Sequence, residues 1–180
     1  MSTSRSRTRV IALSALLGAS ALLASTPYAH ARADAAGPPW ISIETPVNPY
    51  DATTRGAFLL VHAFHHGDAV AYPVSGTAEG IVNGQRKSIT LTFTSTSRTG
   101  AYALRKQWGD VGVWTLVIAV KQQENDLAQA LVEVGEDGAV GRVHVPTRVG
   151  ERNLPFPSVA SAQEIDTALR ERARTMVGRR

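Results

Sequence analysis

Residues 112–120 read Gly-Val-Trp-Thr-Leu-Val-Ile-Ala-Val, nine residues without a charge and rich in β-branched and aromatic side chains. A run this short and this apolar fits a strand buried on both faces better than a free-standing helix. Alternation puts Trp114, Leu116, Ile118 and Val120 on one face and Val113, Thr115, Val117 and Ala119 on the other. Neither face is polar, so both need cover, and the expectation is that other strands wrap this one.

The flanking sequence reads as further strands. Downstream, Leu127–Val134 and Val140–Val145 form a hairpin around Gly135-Glu136-Asp137-Gly138, and Pro146 ends it. Upstream, Ala101–Trp108 carries Tyr102, Leu104 and Trp108 on one face. Val74–Val82 and Gln85–Thr94 flank Asn83-Gly84, the pair a type I′ hairpin turn favours because both central residues need positive φ. In the second arm Ile89, Leu91 and Phe93 point inward and the threonines outward. Ala57–His66 is another apolar strand, turned at Gly67-Asp68 and continued as Ala69–Tyr72. Trp40–Glu44 alternates as a first, edge strand, and Pro46–Gly56 is a loop stiffened by prolines. Roughly seven or eight strands with turn residues between them and no intervening helix predict an all-β fold, an antiparallel sandwich across residues 39–148.

The two ends differ from this body. Residues 1–31 carry Arg5, Arg7 and Arg9, the apolar run Val10–Ser25, and Ala29-His30-Ala31, the order of a Sec-type signal peptide. The apolar run is shorter than the roughly 20 residues a membrane span needs, although retention as an anchor is the alternative. Residues 32–38 form a flexible lead-in. Residues 149–160, with Pro155 and Pro157, form a linker, and residues 161–178 form a helix opened by the capping box Ser161-Ala-Gln-Glu164. Ile165, Ala168, Leu169, Met176 and Val177 recur at helical spacing, with arginines gathered towards the C-terminal end. This helix has three alternatives: packing on the sandwich, forming a mobile tail, or touching an anionic surface. With a short apolar face and no aromatic, any membrane contact is at most weak.

Charge narrows the partners. The chain has 19 basic and 15 acidic residues, +4 net, but three of the basic residues lie in the leader and none of the acids do. A near-neutral mature chain lacks the basic stripe that nucleic-acid binding requires. There is no cysteine, so an exported product would hold together by burial without disulfides.

The order Gly67-Asp68-Ala69-Val70, Gly100-Ala101-Tyr102, Gly112-Val113-Trp114 resembles the small Ig-like, transthyretin-like sandwiches of bacterial exported proteins, the YtkA-like and carboxypeptidase-regulatory-like groups. The resemblance spans roughly residues 59–120 and implies an Ig-like fold. Some members of these groups handle copper or assist respiratory complexes. The present chain has no cysteine and, apart from Met1, only Met176, which argues against a copper(I) site built on sulfur.

Two constellations bear on function. His62, His65 and His66 bring three of the five histidines within five residues, and neutral imidazole suits zinc or copper(II). On a straight strand, however, His62 and His66 lie about 13 Å apart. A site would need Glu44, Asp51, Asp68 or His144 from elsewhere, and the alternative is a polar strand end. Trp40, Tyr50, Tyr72 and Trp108 sit at strand ends or in loops beside prolines. They either form a protein-recognition patch or plug the ends of the sandwich. No nucleophile elbow, phosphate-cradling glycine loop or paired acid–base arrangement is present. The sequence therefore predicts a non-enzymatic periplasmic or extracellular module that binds another envelope protein or joins a larger assembly. The alternative is a copper- or zinc-binding protein centred on the three histidines.

Overall fold

Alternating apolar side chains and turn residues become strands in the order the sequence suggests. The computed structural model describes residues 37–150 and 153–177, all within the compact unit Ala36–Arg180. The expected leader at 1–31 lies outside the described residues, as do the side chains of Met176 and Val177. The strands are β1 (Trp40–Glu44), β2 (Leu59–His65), β3 (Asp68–Ala69), β4 (Val74–Val82), β5 (Gln85–Thr90) and β6 (Phe93–Ser95). They continue as β7 (Ala101–Leu104), β8 (Val113–Lys121), β9 (Leu127–Val134), β10 (Val140–His144), β11 (Thr147–Val149) and β12 (Pro155–Pro157). A single helix, α1 (Ala162–Val177), follows.

Two antiparallel sheets face each other. One runs β1-β2-β7-β6, with β3 turned back on β2; the other runs β10-β9-β8-β4-β5. The all-β sandwich is thus present, with about twelve strands rather than seven or eight, several of them short. The quoted ribbon is β8, in the middle of the larger sheet, with Val113 to Val120 all buried. Trp114, Leu116, Ile118 and Val120 meet Leu59, Val61, Ala63 and Leu104 of the facing sheet in the core. Gly80, opposite Trp114 in the register, leaves room for the indole: a Cβ there would come within 2.5 Å of the ring.

The cover on the second face of β8 is a correction to the expectation. A helix lies there: α1 packs against β8 and β4. Ala168 and Leu169 are buried, and with them Val113, Thr115, Val117 and Leu131. Ser161 and Glu164 close the expected capping box. The Ser161 N–H donates to the Glu164 carboxylate at 2.7 Å, and the Glu164 N–H donates to the Ser161 hydroxyl at 3.2 Å.

Three local expectations change. The arm Gln85–Thr94 is not one strand: β5 belongs to the larger sheet and β6 to the smaller, so the chain changes layer at Leu91–Thr92. The Gln107 side chain brackets the break, accepting from the Thr92 N–H at 2.9 Å and donating to its carbonyl at 2.8 Å. The strand ending at Trp108 stops instead at Leu104, and the linker contains the two-stranded ribbon β11–β12. The crossing from β5 to β6 joins the layers along one side. On the opposite side the layers end at β1 and β10, with no strand between them among the described residues.

Candidate binding edge and histidine cluster

The side of the sandwich bounded by β1 and β10 carries the exposed apolar side chains Trp40, Tyr50 and Val143. β1 is a regular five-residue edge, paired with β2 from Trp40↔Phe64 to Glu44↔Leu60 without a register shift. Its one charge is Glu44 at its C-terminal end, and it carries no Lys, Arg or Pro. The other sheet edges are guarded in ways that natural sheets use. β5 bears Arg86 and Lys87, β6 is three residues long, and β10 is bulged between Val140 and Val143.

β1 lies over β9 and β8, so β10 extends beyond it as a ledge. Val143 pairs with the core residue Val132 and therefore points towards the facing layer, yet it is 38% exposed, since among the described residues no strand lies above it. At the Val140 end the gap opens into a groove of about 450 Å³ lined by Pro46, Val47, Pro49, Phe58 and Val140 among others.

The loop after β1 is held in shape by its own polar groups. The Asn48 side chain accepts from the Tyr50 N–H at 3.0 Å, and Asp51 accepts from the Thr53 N–H at 2.9 Å and from the Thr53 hydroxyl. These Thr53 bonds, hydroxyl first, hold the Asp51 carboxyl below the usual carboxylate range. Thr54 is buried beneath the loop, its N–H and hydroxyl donating to the Asp51 carbonyl. The result is a braced turn that leaves Tyr50 93% exposed beside the groove.

The four aromatic candidates separate. Trp40, 45% exposed, stands at the start of β1, and Tyr50 lies beyond its end. Tyr72 is half-buried and packs on the core, and its carbonyl accepts from the Tyr102 hydroxyl at 2.7 Å. Trp108 is a correction: it is 5% exposed and belongs to the core, with its ring edge-to-face against Phe58 at 4.9 Å. Only Trp40 and Tyr50 of the four are available to a partner on the β1–β10 side.

The histidines do not converge. His62 points from the outer face of the smaller sheet, where Glu44 accepts from its Nε2 at 2.8 Å and from Arg98 at 3.2 Å. A cation there would compete with that guanidinium for the same carboxylate. His65 lies on the opposite face of the strand, its ring 6.0 Å from Tyr72 and 4.4 Å from His66. His66 is a turn residue: with φ of 51° it forms, with Gly67 at 89°, the two-residue turn of the β2–β3 hairpin, one position earlier than expected. Asp68 pairs across from His65, Asp51 is engaged with Thr53, and His144 sits on β10. Among the described residues, no group of three or more His, Cys, Asp or Glu side chains is placed to hold a metal ion.

Comparison with family models, with curated proteins and with solved structures found no match. The likeness to YtkA-like and transthyretin-like domains therefore rests on the chain's own short motifs. What sequence reading missed is the ledge. Its signals are Val143, apolar on a strand that is otherwise Gly, Arg and His after Val140, and the lack of any Lys, Arg or Pro in Trp-Ile-Ser-Ile-Glu.

Proposed function

We propose that this chain is an exported, non-enzymatic binding module whose contact surface is the β1–β10 side of the sandwich. The observation that carries this reading is the braced loop that holds Tyr50 almost fully exposed beside an apolar groove. Tyrosine is enriched among the anchors of protein interfaces, and this one follows Pro49, which lines the groove. Bracing adds to this, because a loop already ordered has less entropy to lose on association. The leader-like order at the N-terminus supports export to the periplasm or beyond, where another envelope protein would be the partner.

The test is site-specific photo-cross-linking in an envelope preparation. A photoreactive residue at Tyr50 should give a discrete adduct, whereas the same group at Lys87, on the far edge strand, should not. Adducts of equal yield from both positions, or none from Tyr50, would remove the assignment. The metal-binding alternative is the weaker reading, because His62 is tied to Glu44 and faces away from His65.

A further inference from the structure

We infer that the β1–β10 side accepts a single extended segment from a partner protein, which pairs with β1 as an added strand and covers the ledge on β10. This names the mode of contact and rests on the binding reading above. The backbone sets the edge chemistry. The Ala63 N–H donates to Gly100 on the β7 side, and the Ala63 carbonyl accepts from Val70 on the same side. In an antiparallel ladder, alternate residues bond to opposite neighbours. The Leu60, His62 and Phe64 groups therefore serve β1, paired with Glu44, Ser42 and Trp40. Among the described residues no strand pairs with the other side of β1, so the Ile41 and Ile43 N–H and C=O groups point along an open edge. An open row of backbone groups of this kind is what strand addition uses for affinity.

The layer offset selects the occupant. A strand added beside β1 lands above β10, where Val143 is open to it. It needs an apolar side chain at every second residue to fill the gap between Val143 and the groove at Val140. A second copy joined β1 to β1 through a two-fold axis does not fit. Its own β9 would occupy the place already taken by β10, because each β1 rides over β9. The ledge is one strand wide, which admits a strand and excludes a second sandwich.

The experiment uses the full chain and a blocked heptapeptide of alternating valine and threonine. Two isomers of it are N-methylated, each on the amides of one edge. Backbone hydrogen exchange is read at Ile41 and Ile43. Excess peptide should slow both amides at least tenfold. One methylated isomer should retain this effect and the other should lose it. Val143→Lys should weaken the peptide more than tenfold while leaving the melting temperature close to that of the parent chain. No slowing at millimolar peptide, or equal protection by both isomers, would overturn the inference. So would protection that appears without peptide. If it then depends on chain concentration, the ledge belongs to a second copy. If it vanishes when the residues before Gly37 are removed, the ledge belongs to the chain's own N-terminal segment. Tyr50 adducts in a complex whose Ile41 and Ile43 amides stay unprotected would refute the pairing and leave the binding reading intact.

Discussion

Thr115 is the residue at which packing and polarity conflict. Its side chain is fully buried between β8 and α1, and its hydroxyl has no hydrogen-bond partner. An unmatched buried hydroxyl costs about 1–3 kcal/mol relative to one that is satisfied. Valine has nearly the same shape without the hydroxyl. Thr115→Val is therefore expected to raise stability by about 1 kcal/mol in chemical denaturation. A loss of stability would mean that the hydroxyl is satisfied by bound water. Glu79 shows the opposite balance. Burial would push its carboxyl up, but hydrogen bonds from Ser88, Thr77 and Arg86 outweigh this and hold it below the usual range. It stays charged on the face of β4 that α1 covers, where Arg86 reaches both Glu79 and Asp166 of α1.

At the scale of the element, α1 is held at its start by the capping box and along its length by a narrow apolar stripe. The Ser161 backbone N–H, then its hydroxyl, lower the Glu164 carboxyl below its ordinary value. A carboxyl depressed in the folded state adds stability that is present above the unfolded value. That stability is lost as pH falls through the lower, folded value. The difference in melting temperature between the parent chain and Glu164→Gln should thus shrink on acidification below about pH 4, where unfolded carboxyls protonate. Ser161→Ala should cost about 1 kcal/mol at neutral pH, the usual loss for a removed N-cap. The start of this helix was legible in the sequence to within a residue, because Ser-x-x-Glu and the spacing of Ile165, Ala168 and Leu169 are local signals. Its docking site was not legible, since the face of β8 looks the same whether strands or a helix cover it. The break between β5 and β6 was hidden for a related reason. Ile89, Leu91 and Phe93 keep their alternation across it, and what permits the change of layer is Gln107, which is remote in sequence from Thr92. The histidine cluster was legible only as composition: the faces on which His62 and His65 fall follow from alternation, but the Glu44–Arg98 pairing depends on the fold.

At the scale of the whole molecule, the larger sheet depends on α1 for its outer cover. Ending the chain at Ala160 would expose Val113, Val117, Ala119 and Leu131 together, an apolar patch of the kind that drives association. The truncated chain is expected to bind a hydrophobic dye and to self-associate, as read by fluorescence and light scattering. A monomeric, dye-silent product would show that α1 is dispensable cover. The two layers are also unequally fastened. The continuous passage from β5 into β6 acts as the spine of a book, while the leaves at β1 and β10 have no binding. Thermal breathing of one leaf against the other must then grow with distance from the spine, so the fore-edge, where Trp40, Val143 and Tyr50 stand, is where the pages part.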